Sequence, residues 1–268
     1  MRLDYGTQLS PAPIKLSVGT LRKPTLREIT DTTNDMSFEK FNFFQVFLKM
    51  TPEKYYGSIS LNNPMWDSLS EDAKDDMTMY SVILQDEKAR DIFLDIFNFF
   101  FLEKVVFTEG FFILLKNDVE DIQKINPDDI RGVVKEASFL QILNIIQQIL
   151  GINDPEDEPL ENLKFKNEKA RKNYLKILKG QKEKRAAAKN DINLSIPNII
   201  SSVASRHPSV NLINIWDYTV FQLLDSFNRL QANAYYDIDA SRVSTWGDEK
   251  KTFDATLWYK NNYDTIIK

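Results

Sequence analysis

Residues Asp86–Leu102 read DEKARDIFLDIFNFFFL, and this stretch decides the class of the fold. It reads as a strong helix. Near its end it becomes apolar all round, as expected for a helix buried on most sides. The next segment, Lys104–Lys116 (KVVFTEGFFILLK), changes period. Two β-branched and aromatic runs flank Thr108-Glu109-Gly110, which predicts a hairpin with a three-residue loop and Gly at its left-handed position.

The same signals recur outward from this centre. Ser37 is a cap for a helix to about Lys49, with Phe38, Phe41, Phe44 or Gln45, and Leu48 on one side. Thr51-Pro52 starts a short helix, and Ser70-Glu71-Asp72 starts another. Asn126-Pro127-Asp128-Asp129 predicts a helix running to Leu150 and stopped by Gly151. Ser195-Ile196-Pro197 predicts a helix to about Arg206, and a long last helix is expected from Ile215 to about Val243. Near the start, residues 1–13 read as an extended arm. Ile14, Leu16 and Val18 alternate with polar residues as in a strand, and Leu21–Ile29 would pair back, with Pro24 holding it to an edge. The tail, Trp246–Lys268, reads as polar and loosely packed.

Gly is scarce at eight residues, which argues against an all-β chain with many tight turns. The expected fold is therefore mainly α: a multi-helix globular body with one or two small β-hairpins and a protruding basic helix. Three regions are expected: 1–151, 152–190 and 191–268. The middle one is set by charge. Residues 154–161 hold five acids and no base, whereas 164–189 carries eleven basic and two acidic residues. That stretch is +9, which leaves −14 for the remainder of a chain of net charge −5.

The composition also bounds the chemistry. There is no cysteine, which excludes disulfides, thiolate catalysis and Cys-ligated metal. The single His, His207, precedes Pro208 at a helix end and reads as a capping or solvated residue. The glycines are scattered, so no phosphate-cradling loop is present. The acids at Asp128/Asp129 and Asp237/Asp239 read as helix termini and surface. Calcium at Asn153–Glu158 would lack the required Gly and meet Pro155. No cofactor, metal or catalytic residue is expected, and the reading is of a non-enzymatic binding protein. No apolar run approaches the roughly 20 residues of a membrane span, and the first residues lack the apolar core of a secretory signal.

Two surfaces are candidates for binding partners. One is aromatic, at the start of the last helix: Trp216, Tyr218, Phe221 and Phe227. The other is the basic stretch, with Lys172, Lys176, Lys179 and Arg185. Against nucleic acid, the chain is acidic overall, and no aromatic follows Tyr174 in that stretch to stack on bases. The Phe-rich segment 97–112 reads as core.

Ile14–Tyr56, with its Phe-rich helix followed by FLKMTPEKYY, and Asn214–Asp239 (NIWDYTVFQLLDSFNRLQANAYYDID) carry a resemblance. Together they resemble the tail assembly chaperone group of phages infecting Gram-positive bacteria. The matching positions in the second stretch are Trp216, Asp217, Tyr218, Phe221, Gln222, Leu223, Asp225, Phe227, Arg229 and Leu230. The resemblance implies a host-cytoplasmic protein that coats the apolar helix of a tape-measure protein and recruits tail-tube subunits. A homo-oligomer fits the same class. A structural tail or baseplate protein of the virion, and a nucleic-acid binder acting through 164–189, are the alternatives.

Overall fold

The computed structural model describes residues 2–58, 64–116, 126–152, 192–249 and 251–260. In chain order the elements are α1 (Tyr5–Leu9), β1 (Ile14–Lys15), β2 (Thr20–Leu21), α2 (Phe38–Phe47), α3 (Pro52–Ser58), α4 (Pro64–Asp67), α5 (Glu71–Asp75), α6 (Met79–Gln85) and α7 (Glu87–Phe100). They continue with β3 (Lys104–Thr108), β4 (Phe111–Leu115), β5 (Ile130–Val134), α8 (Glu136–Ile149), α9 (Ile196–Arg206) and α10 (Val220–Trp246). The fold is mainly α with two small antiparallel sheets. The chain divides into two units. The first holds Met1–Leu3 and Ser10–Leu150, and the second holds Asp4–Leu9 and Gly151–Lys268. The expected basic helix lies outside the described residues.

In the first unit α7 is the centre. The Asp86 carboxylate accepts from the backbone N–H of Lys88 and Ala89, satisfying donors that the first turn cannot. Ala89, Phe93, Ile96, Phe97 and Phe100 are buried at helical spacing. Phe97 meets the rings of Phe101, Phe112 and Phe139, all edge-to-face. Asn98 fixes how the chain leaves the helix. Its side-chain amide donates to the Val105 carbonyl at 3.0 Å, and its Oδ1 accepts from the Val105 N–H at 2.9 Å. Ser37 caps α2 by accepting from the Lys40 N–H, and Phe41, Phe44 and Phe47 of that helix are buried.

β3, β4 and β5 form an antiparallel sheet in that order. The hairpin forms at the expected place with a tighter loop. Thr108 pairs directly with Phe111, so only Glu109 and Gly110 turn the chain. Both have positive φ, 52° and 81°, the two-residue turn that matches strand twist. The helix expected over 127–150 is corrected. Its start makes a single 3-10 turn, Pro127–Asp129, and then β5 follows. Ile130, Val133 and Val134 are β-branched and pair with β4, so sheet formation overrides the local helix signal. The helix proper, α8, begins only at Glu136.

The N-terminal hairpin is also shorter than expected, with two residues per strand. Pro24 cannot donate to a ladder. Thr25 and Glu28 instead cap a turn reciprocally: the Thr25 N–H donates to the Glu28 carboxylate and the Glu28 N–H to the Thr25 hydroxyl. The connection between β1 and β2 lies against β5, where Gly132 leaves room for the Val18 backbone.

Residues 1–13 are not wholly extended. Asp4 accepts from the Thr7 N–H at 2.8 Å, and α1 follows. Among the described residues, no helix is long and apolar enough to cross a membrane.

Candidate protein-binding surface

The second unit is built on α10. Thr219 and Gln222 cap its start: the Gln222 N–H donates to the Thr219 hydroxyl, and the Thr219 N–H donates to Gln222 Oε1. This corrects the expected start at Ile215, where a separate 3-10 turn, Ile215–Asp217, ends at Tyr218. The helix also runs on to Trp246. α1 packs on its first turns. The Tyr5 ring lies 6.3 Å from Phe221, and Gln222 donates its side-chain N–H to the Leu9 carbonyl at 2.9 Å. The Tyr5 hydroxyl donates to the buried Asp225 at 2.9 Å, and Arg229 stands 3.8 Å from the same carboxylate. The tail is anchored as well: Arg229 donates to the Lys260 carbonyl, and Phe253 packs on Tyr236.

The Tyr5–Asp225 bond has a consequence for stability. Burial pushes the Tyr5 phenol above its ordinary value of 10.0, the Asp225 carboxylate pushes the same way, and Arg229 opposes. A raised tyrosine pKa contributes stability fully below the unfolded value, and that contribution disappears as pH rises through the folded-state value. Tyr5→Phe is therefore expected to lower unfolding free energy by about 1–2 kcal/mol at neutral pH. The difference from wild type should shrink above about pH 10. Thermal melts of both proteins between neutral and alkaline pH check it; a gap that stays constant with pH would contradict the assignment.

Of the residues expected to face a partner, the structure separates four. Phe221 is buried and belongs to the core of this unit, so its side chain is not a surface residue. Trp216, Tyr218 and Phe227 are half-buried. Lys172, Lys176, Lys179 and Arg185 lie outside the described residues.

The exposed apolar residues nearby are ones that the sequence did not single out. Leu212 is 59% exposed and Ile213 is 84% exposed. They sit on a loop held by its own side chains. The Asn211 N–H donates to Asn214 Oδ1 at 2.8 Å, and the Ile213 N–H donates to Asn211 Oδ1 at 2.8 Å. Asn214 also donates to the Ser209 carbonyl, and the Trp216 indole N–H donates to the Leu212 carbonyl at 2.8 Å. Val210 and Ile215, on either side, are buried. Asx-type bonds of this kind fix a turn, so the two aliphatic side chains are presented to solvent by a braced backbone. The paired asparagines, three residues apart, are the local signal that marks the loop.

His207 also belongs to this region. Its Nδ1 accepts from the Ser209 N–H at 3.3 Å, beyond the end of α9. In the first unit an open cleft of about 400 Å³ is lined by Thr32, Asp35, Met36, Lys40 and Phe43. Its Lys40 is already engaged by Asp35 at 2.6 Å and Asp95 at 3.4 Å. Among the described residues no three His, Asp or Glu side chains are grouped to hold a metal ion.

In a comparison with known families, residues 182–263 match the YomV second domain. YomV is a phage-encoded family, and the match suggests a phage protein. The matched range contains α9, the braced loop and α10. No curated protein and no solved structure matches the chain.

Proposed function

We propose that this phage protein works without catalysis, as a tail assembly chaperone. It binds an apolar helical segment of the tape-measure protein in the host cytoplasm and hands it on to tail-tube subunits. The observation that carries the reading is the braced apolar tip, Leu212 and Ile213, bonded through the Leu212 carbonyl to the half-buried Trp216 indole. A tape measure is a long helix with apolar residues that aggregate when uncovered. A loop backbone already held in place loses little freedom on docking, so modest apolar area yields useful affinity. Many moderate contacts also suit a partner that must later be released. The match over 182–263 supports phage origin of this unit. The basic stretch 164–189 plays no part in the reading.

The test is co-purification with a tape-measure fragment, followed by titration. Leu212→Asp and Ile213→Asp each remove an exposed apolar side chain worth about 1.5 kcal/mol or more when buried. Each is expected to weaken binding at least about tenfold, with the melting temperature nearly unchanged because neither side chain is in the core. Unchanged affinity in both variants would reject this surface. Recovery of the protein as a stoichiometric part of finished virions would reject the chaperone reading and favour a structural tail or baseplate protein.

A further inference from the structure

The far end of α10 carries a second apolar surface, separate from the braced loop. Tyr235 and Ile238 are each 68% exposed and Trp246 is 81% exposed. With Arg242 they follow steps of three and four residues, so they share one face of the helix. On the neighbouring flank Ala232 is buried and Tyr236 packs on Phe253. The stripe itself has Asp239 and Arg242 near its middle, 2.7 Å apart.

The stripe is complementary to its own reverse. Tyr235 and Trp246 lie at equal distances, about 8 Å along the axis, on either side of a point between Ala240 and Ser241. Asp239 and Arg242 are symmetric about the same point, about 2 Å to each side. A second copy of the helix running antiparallel about that point brings each Tyr235 to the partner's Trp246. It also brings each Arg242 within reach of the partner's Asp239, which is the pattern of an isologous two-fold interface. Negative faces positive at the centre, and aromatic faces aromatic at both ends.

We infer that this face is a homodimer interface, formed by antiparallel packing of residues 235–246 of α10 on the same residues of a second copy. The three large side chains supply on the order of 400 Å² per copy. A standard stable interface buries about 800 Å² per partner, so the dimer is weak and reversible. This interface is independent of tape-measure binding, because it uses the opposite end of the helix from Leu212 and Ile213.

Sedimentation equilibrium on the full chain, from about 5 to 500 µM, tests it. The expected result is a concentration-dependent monomer–dimer mixture with a midpoint on the order of 10–100 µM. Trp246→Ala is expected to raise the dissociation constant at least about tenfold. Arg242→Asp sets acids against acids and should leave monomer throughout, whereas Asp239→Arg combined with Arg242→Asp restores opposite charges and should restore the dimer. A single monomeric species over the whole range overturns the inference. So does a dimer that Trp246→Ala and Arg242→Asp leave unchanged, or a charge swap that fails to rescue.

Discussion

Phe97→Ala is expected to lower the unfolding free energy of the first unit by about 4 kcal/mol. The ring is fully buried on α7. It lies 4.8 Å from Phe112, 5.8 Å from both Phe101 and Phe139, and 6.4 Å from Phe93. Removing it forfeits the transfer energy of the side chain and leaves a cavity that four rigid rings cannot collapse into. Each edge-to-face pair adds about 0.5–1.5 kcal/mol beyond area. Phe97 also joins α7 to β4 and α8, because Phe112 and Phe139 belong to those elements. For a unit of this size the melting temperature should fall by roughly 10–15 °C. Urea unfolding of wild type, Phe97→Leu and Phe97→Ala checks the ranking: the Leu variant should lose much less. A loss below about 1 kcal/mol for the Ala variant would mean that the ring is not where the structure places it.

Gly132→Ala should have the second-largest effect, and for the opposite reason. A Cβ at this position would stand 2.1 Å from the Val18 carbonyl oxygen and 2.6 Å from its Cα. These are backbone atoms in the connection between β1 and β2, where the Leu16 N–H donates to the Gly19 carbonyl at 2.7 Å. The connection cannot move a side chain aside; it must lift off β5 or push the strand away. Overpacking of this kind costs about 1–3 kcal/mol, and the upper end applies where backbone must shift. The denaturant midpoint should fall. The amides of Leu16 and Thr20 should also lose protection against hydrogen exchange more than those of α7. Equal loss across the unit would point to general destabilisation instead.

Those two sites also mark what was legible in the sequence. Two helix starts were, because caps are local: Ser37 and Ser70 each do in the structure what their neighbours imply. The hairpin over Lys104–Leu115 was legible because its period and its Glu109-Gly110 turn are contained in a dozen residues. β5 was not. Asn126-Pro127-Asp128-Asp129 does turn the chain once, but the helix it announces gives way to pairing with β4, which no local window contains. Gly132, inside the range expected as helix, is the opening that admits Val18.

The surface was legible only in outline. Aromatic density pointed to the start of α10, yet density alone cannot tell Phe221, which faces the core, from Trp216, which is half-buried. Leu212 and Ile213 carry no mark of their own in the sequence, because two adjacent aliphatic residues are as common in a core. Only the bonds of Asn211 and Asn214 show that they are held outward. The complementarity of Tyr235–Trp246 is written in spacing alone, but it acquires meaning only once those side chains are known to be uncovered.

The lodging of α1 on α10 has a consequence for the order of events during synthesis. Tyr5 and Asp225 are 220 residues apart in the chain. At about 5–20 residues per second the ribosome needs roughly 10–45 s to make that interval. Throughout it, Tyr5 and Leu9 have emerged without the helix that receives them, while all of Ser10–Leu150 has become available to fold. The second unit thus closes only after Ser10–Leu150 has been made, and with a piece made before it. A nascent chain arrested before α10 should carry an open, protease-sensitive segment at Tyr5–Leu9, which closes only once α10 has emerged.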